Sequence, residues 1–506
     1  MWIVLVTSAL TLVSYYRWLR VAQREHYEPT RLFAIEWIWI KARPVEAILL
    51  GAVVVVCLAS FVLPYGAIVG ALLFLGWPVG MSFTGAKRLV WTDRVKRLAG
   101  VLFVLHAVVT VVIALVAPVA AGLLPILAVP LAEAALAIMW PIEKAMAKKW
   151  QVQAAATIRK VDPRIVAITG SYGKTSTKNY ATHLMQGRWS TLASPASFNN
   201  AMGLSRAVND RLQPGTDIFV AEMGTYGPGE IAELTEIFPP EVAAITTIGE
   251  AHLERMKSRE TIVKAKSEIL PKASTVVLNI DVPELALIAE NLRASKRVIA
   301  CSAIPGTAAE VIVADGTDPT VSGSASTITI NNETYAVELP DEVGHPINVA
   351  IAVGLALAVE VPIETITQRL ASIPGTPHRA EANKTPGGVW VVDDTFNSNP
   401  TGAAAALAKA KRLAGESGTV WTITPGMVEL GTEQAARNVE FAQAATASDK
   451  MRLCIVGRTN RKALRAGEPA RTIAFESRKA AADHALTAAK EGDVVLYEND
   501  LPDHYA

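Results

Sequence analysis

The sequence predicts an α/β nucleotide-binding protein with mostly parallel sheet, preceded by an α-helical transmembrane domain. Segments 46–64 (EAILLGAVVVVCLASFVLP) and 98–117 (LAGVLFVLHAVVTVVIALVA) each approach the ~20 apolar residues that a bilayer core requires. The stretch ITGSYGKTSTKNY, Ile168 to Tyr180, sets a glycine-rich turn between an apolar strand and a helix. From Val389 onward, strand-like runs (VWVVDD, TVWTITPG, RLCIVG, DVVLYEN) alternate with helical stretches, as in a small Rossmann-like domain. In this reading the 506 residues divide into a transmembrane part, 1–150, an ATP-binding part, 151–375, and a Rossmann-like C-terminal part, 376–506.

Composition narrows the function. A hydrophobic share of 51% against 19% charged residues is high for a soluble protein, and the excess lies in the first 150 residues. The net charge of +1, with no basic run interleaved with aromatics, argues against nucleic acid as a partner. Cys57, Cys301 and Cys454 are scattered and odd in number, forming neither a disulfide framework nor a metal motif, which suits a reducing compartment.

About five spans are expected, since weaker candidates at 66–84 and 119–142 and a run beginning at residue 2 (WIVLVTSALTLVSYY) join the two strong ones. The first lacks a charged n-region and a small-residue cleavage site, so it reads as an anchor and not a signal peptide. Arg17, Arg20, Arg24, Arg31, Lys41 and Arg43 fill one connecting segment, and Lys87, Arg88, Arg94, Lys96 and Arg97 another, while the turns near Pro64 and Pro118 hold no Lys or Arg. Both basic loops are therefore expected on the cytoplasmic side. The expectation is a multi-pass protein of the cytoplasmic membrane, partnered by the lipid bilayer, with everything after Lys144 inside. His106 and Glu133 fall within candidate spans, where an ionisable group suggests function. The alternative for Glu133 is the end of a span or a turn after Pro130, and neither residue is taken as a site residue.

The glycine-rich turn has the context of a phosphate loop. Gly170 and Gly173 let backbone N–H groups converge on phosphate oxygens, Lys174 supplies a mobile positive charge, and the Thr175 hydroxyl is placed to reach Mg²⁺. The expected ATP contacts are Gly170, Ser171, Gly173, Lys174, Thr175 and Ser176. Downstream, Glu222 ends an apolar strand, and His252 lies just past the end of the next. In a parallel sheet the carboxyl ends of successive strands share one edge, so Thr175, Glu222 and His252 can converge as an Mg²⁺ site. Taken singly, Glu222 and His252 are as apt to be structural as functional.

Nine segments, TGSYGKTSTK, FNNAMG, AEMGTYGPGEI, TIGEAHLE, AKSEI, GHPIN, PHRAE, DDTFNSNP and GMVELG, occur in the order and at roughly the spacing seen in the Mur ligase family. The sequence resembles most its MurF branch, which joins D-alanyl-D-alanine to a UDP-linked muramoyl tripeptide. The resemblance covers about residues 151–500, and it explains the short loop, since this family uses T-G-x-x-G-K-T. It implies an ATP-dependent ligase that phosphorylates a substrate carboxylate and lets an amine attack the acyl phosphate. Lys174 would then hold the β- and γ-phosphates, Thr175 and Glu222 one Mg²⁺, and His252 a second. Lys266, selected over Lys264 by the A-K-x-E-I pattern, would work as a CO₂-derived carbamate supporting that second metal. Asn348 would meet adenine, Asp394 would hold ribose, and Arg379 would reach the γ-phosphate after the C-terminal domain closes.

The chain also departs from that branch. Membrane spans stand where soluble members carry a UDP-binding domain, Ala201 stands where Glu is usual, and the end reads LYENDLPDHYA where a K-G-S-R pattern is usual. Three readings follow. The first is a membrane-bound amide ligase whose carboxylate and amine substrates belong to a lipid-linked or envelope precursor. The second is a MurF-type ligase on a UDP-muramoyl peptide that is merely anchored. The third is an ATP-dependent transporter or scaffold, in which Lys266 and His252 would have no evident purpose.

Overall fold

The structure is a computed structural model that describes residues 1–42, 44–77, 88–195, 198–250, 253–314, 325–340, 343–375, 381–395 and 398–501. It forms two compact units, one built chiefly from residues 1–146 and the other from 147–456 and 463–500.

The first unit is helical: α1 (Trp2–Arg24), α2 (Arg31–Ala42), α3 (Pro44–Leu58), α4 (Gly66–Gly76), α5 (Asp93–Val116), α6 (Leu123–Ile126) and α7 (Ala128–Val161). Only α1 and α5, among the described residues, are single helices long and apolar enough to cross a bilayer. Two more spans arise if bent pairs each count as one, residues 31–41 with 45–61, bent by 118°, and 118–126 with 128–161, bent by 65°. Five spans were expected because a hydropathy window reads an apolar run as straight. At ~1.5 Å per residue the 15 residues of α3 reach only about 22 Å, short of a ~30 Å hydrocarbon core, and a 3₁₀ turn at Ala59–Phe61 ends the run.

His106 and Glu133, singled out above within candidate spans, have structural partners. His106 on α5 is held by the Ser8 hydroxyl at 2.8 Å and the Tyr15 hydroxyl at 3.0 Å, so it ties α5 to the inner face of α1. The Glu133 carboxylate on α7 accepts the backbone N–H groups of Thr30 at 2.6 Å and Leu32 at 2.7 Å, thereby capping the first turn of α2.

The second unit holds two sheets. The first contains β1 (Arg164–Thr169), β2 (Thr191–Ala193), β3 (Ile218–Glu222), β4 (Val242–Ile245), β5 (Thr275–Asn279), β6 (Arg297–Ser302), β7 (Val311–Ala314), β8 (Ala325–Ile330) and β9 (Glu333–Glu338), in the order β2-β3-β1-β4-β5-β6-β7-β8-β9. Strands β1 to β7 pair in parallel, and β8 and β9 add an antiparallel hairpin. Asn331 and Asn332 turn that hairpin at φ 49° and 70°, as a two-residue turn matched to strand twist requires. Strands β1 and β4 are near-continuous apolar runs because both sheet faces are covered. Helix α8 (Lys174–Met185) and the Pro346–Ala358 helix contribute to the core on one face, which includes Tyr180, Leu184 and Ile351. The other face is sealed around Phe219, Phe238 and Ile262.

The second sheet contains β10 (Glu381–Lys384), β11 (Trp390–Asp394), β12 (Val420–Thr424), β13 (Met451–Val456), β14 (Thr472–Phe475) and β15 (Val494–Glu498), in the order β10-β11-β15-β12-β13-β14. Only β10, among these strands, runs antiparallel to its neighbour. The alternation read from Val389 onward is this sheet.

Candidate active site

Strand β1 lies between β3 and β4, with Ile168 opposite Glu222 on one side and Ala244 on the other. The loop that follows β1 therefore leaves the sheet between two other carboxyl ends. Gly173 caps α8 with φ 80°, and a Cβ there would come within 2.2 Å of the Asn348 Oδ1, so shape and backbone both demand glycine. Gly170 is crowded in the same way by the Thr246 hydroxyl. Thr246 bonds the carbonyls of Thr169 and Tyr172, while Ser171 N–H reaches Thr247 O at 2.9 Å, so the chain after β4 braces the loop from below.

The Lys174 ammonium lies back over the loop, donating to Gly170 O at 2.7 Å and Ser171 O at 3.4 Å. Thr175 donates its hydroxyl to Glu222 Oε2 at 3.0 Å. Lys178, one turn further along α8, is 2% exposed and donates to the same oxygen at 3.0 Å, while the Asn199 amide reaches Oε1 at 3.4 Å. Burial alone would raise the Glu222 pKa, but the charges of Lys178 and Lys174 and the bonds from Lys178 and Thr175 outweigh it and hold the carboxyl below its ordinary value. Glu222 is thus a buried, ionised carboxylate.

Lys266 lies in the last turn of the Arg259–Ser267 helix at 2% exposure, while Lys264 in the same turn is exposed. Among the described residues the Lys266 side chain has no hydrogen-bond or ion-pair partner, and burial, followed by the charge of Lys174, pushes its amine well below the ordinary lysine value. The structure therefore brings Gly170, Ser171, Gly173, Lys174, Thr175, Ser176, Glu222 and Lys266 to one region. Asn348, in the first turn of the Pro346–Ala358 helix, sits against the loop with its Oδ1 3.4 Å from Thr177 Oγ1. Asp394 is half-buried at the end of β11, opposite Glu498 in the second sheet. His252 and Arg379 lie outside the described residues.

No cluster of three or more His, Cys, Asp or Glu side chains, among the described residues, could hold a metal by itself. The donors present nonetheless suit Mg²⁺. A carboxylate and a hydroxyl, 3.0 Å apart beside a phosphate loop, offer the hard oxygens this ion takes while phosphates and water complete its shell. Bound there, Mg²⁺ would neutralise phosphate charge.

Sequence reasoning missed Lys178, Asn199 and Thr246. Lys178 had a usable signal, because it falls four residues after Lys174 and three after Thr175, on the helix face that Glu222 meets. Also missed was Glu498, fully buried at the end of β15, where the Ser398 and Thr424 hydroxyls donate to its carboxylate and burial pushes its pKa up to about 7.

Residues 168–354 match the Mur ligase middle domain, and residues 378–497 match the Mur ligase glutamate ligase domain. The UDP-N-acetylmuramoyl-tripeptide--D-alanyl-D-alanine ligase of Escherichia coli is 30% identical over 309 residues, 60% of this chain and 67% of that protein. The chain belongs to the Mur ligase family. The enzyme of the same name from Mycobacterium tuberculosis is 30% identical over 310 residues, and the match spans 58% of each chain. A little over half of these mycobacterial relatives is thus represented. Among solved Mur ligases, MurF from Acinetobacter baumannii superposes with a TM-score of 0.61 at 23% identity, over 71% of this chain and 78% of that one. MurF from Thermotoga maritima in complex with ADP gives 0.61 at 23% identity, over 71% and 81%. Both are likenesses of fold, and the family's central and C-terminal domains are the two sheets described above.

Proposed function

We propose that this Mur ligase is a MurF-type enzyme that uses ATP to form an amide bond on a peptidoglycan precursor. The observation that carries the reading is the Thr175–Glu222 pair beside the phosphate loop, in a chain whose relatives are named for that reaction. In the proposed reaction a substrate carboxylate oxygen attacks the γ-phosphorus and ADP leaves. An amine nitrogen then attacks the acyl carbon, and the acyl–oxygen bond breaks with loss of phosphate and a proton. Lys174 would take up charge on the phosphates, Thr175 and Glu222 would hold one Mg²⁺ and His252 a second, and Asn348, Asp394 and Arg379 would meet adenine, ribose and the γ-phosphate.

Two finer points belong to the proposal. Lys266 is buried beside Lys174 and, among the described residues, has no anionic partner, which favours the neutral amine, the form that adds CO₂. A carbamate there would supply the missing anion. The first unit is proposed to sit in the bilayer with the ligase part on the cytoplasmic side. Its outward surface carries Leu5, Val13, Ile48, Val62, Leu115 and Val116 at 59–83% exposure, among many other large apolar side chains. Beyond Val152, by contrast, only Met202, Tyr226, Leu287, Ile304, Ile473 and Leu486 are so placed among the described residues. That surface is the observation behind a second reading with a lipid-linked acceptor, whereas the names of the relatives support a UDP-linked one.

Phosphate release by the purified full-length protein tests the proposal. Release should require both a muramoyl-peptide carboxylate and an amine such as D-alanyl-D-alanine, and UDP-linked and lipid-linked forms of the first distinguish the two readings. ATP hydrolysis indifferent to both substrates, or coupled to solute movement in vesicles, would refute the ligase. Labelling of cysteines introduced near Pro64 and near Arg94 tests the topology, since an external reagent should reach the first and not the second.

A further inference from the structure

The short segment that follows β4 is gripped from two sides. On one side is the phosphate loop. Ser171 N–H donates to Thr247 O at 2.9 Å, Gly249 N–H donates to the Ser171 hydroxyl at 2.9 Å, and the Tyr172 ring lies so close to Gly249 that a Cβ there would meet it at 2.3 Å. On the other side is the C-terminal domain. The Arg437 guanidinium, on the Gln434–Ala444 helix, grips the Glu250 carboxylate through Nε at 2.9 Å and Nη2 at 2.6 Å, the two-pronged geometry that fixes direction as well as distance. Two further ties fall next to it, as Glu254 N–H donates to Glu429 O at 3.2 Å and Arg255 approaches the Glu429 carboxylate at 4.0 Å.

Glu429 lies in the GMVELG segment and holds φ at 65°, a conformation non-glycine residues adopt only when their surroundings impose it. The Met427 N–H donates to the buried Asn438 amide oxygen at 2.9 Å and Asn438 returns a bond to Met427 O, so the strained segment and the Arg437 helix move as one piece. Arg437 and Glu250 are 32% and 23% exposed, so their pair contributes little to global stability. Its geometry instead points to transmission. Resting on the ligase reading above, we propose that Arg437 is a positioning residue: through Glu250 it sets the 247–250 segment on which the phosphate loop hangs, so that docking of the C-terminal domain and ordering of the loop are a single event.

The test uses the full-length protein carrying spin labels at Leu287 and Leu486, two exposed positions, one in each domain. Wild type should show a narrow distance distribution with ADP and Mg²⁺. Arg437→Gln and Glu250→Gln should each broaden it and lower kcat about tenfold with the KM for ATP within about twofold, while the exchanged pair Glu250→Arg/Arg437→Glu should restore both. Unchanged distances in the single variants, or an exchanged pair no better than they are, would overturn the proposal. Should one single variant fail to fold, the other and the exchanged pair still decide it. Distances need no substrate, so a protein lacking ligase activity would remove the proposed function while leaving the docking claim to be judged on distances alone.

Discussion

Replacing Lys178 by Met isolates what the buried charge pair contributes. The Lys178 ammonium and Glu222 carboxylate lie 3.0 Å apart with side chains 2% and 4% exposed, so removal of the lysine strands an anion that water cannot reach. Breaking such a pair from one side costs about 3–5 kcal/mol. At about 2–4 °C per kcal/mol for a domain of this size, the unfolding midpoint should fall by roughly 10 °C. Tryptophan-monitored thermal unfolding of the detergent-solubilised chain reads this directly. The double variant Lys178→Met/Glu222→Gln removes the stranded charge as well and should regain at least half of the loss. The pH dependence has a definite sign. Glu222 has a lowered pKa in the folded protein, so its stabilising contribution is present above the unfolded value and is lost as pH falls through the folded one. The gap between wild type and Lys178→Met should therefore be widest near neutral pH and narrow in acid. A single variant within about 1 kcal/mol of wild type, or a double variant worse than the single, would refute the reasoning.

Gly173→Ala should weaken binding of a fluorescent ADP analogue at least about tenfold, because φ of 80° and the Asn348 contact both oppose a Cβ; an unchanged Kd would refute the cradle. Lys266→Ala should lose nearly all ligase turnover while Lys264→Ala keeps it. Isotope-labelled bicarbonate should give a carbamate resonance in wild type and in Lys264→Ala but not in Lys266→Ala, and its absence from wild type would remove the adduct. Glu498 has a folded pKa raised from 4.5 to about 7, so the unfolded chain ionises first and stability should fall by roughly 3 kcal/mol as pH rises across that interval. Denaturant titrations of Glu498→Gln should lack that slope.

The phosphate loop was legible because its chemistry is local: a strand, two glycines, a lysine and a threonine within a dozen residues leave few alternatives. Glu222 was legible because parallel strands share an edge. Lys178 and Asn199 were not, since a lysine within a helix and an asparagine before one are ordinary until the sheet brings a buried carboxylate to them. The first unit failed differently. Hydropathy counts apolar residues but does not record where a helix stops, so the 46–64 run gave no sign that α3 ends at Leu58 in a 3₁₀ turn. Nor could a window show that Glu133 answers the backbone of Thr30 and Leu32, about a hundred positions away. The strained Glu429 lies inside a segment that had been matched to the family, but its φ is a tertiary demand that sequence does not record.

The resting place of Lys174 sets a threshold for whatever enters the loop. Its ammonium is already engaged by the Gly170 and Ser171 carbonyls, so a polyphosphate must out-compete the protein's own backbone for that lysine. A charge-assisted bond of this kind is worth about 1.5–3 kcal/mol, which lowers apparent affinity by roughly 10- to 100-fold for any ligand that cannot replace it. A lone phosphate with one or two free oxygens repays that poorly. A nucleoside triphosphate, bringing several anionic oxygens towards Lys174 and the loop's N–H groups together, repays it in full. A loop so arranged would favour ligands that deliver several charges to Lys174 over those that deliver one, before any contact with the base or sugar is made.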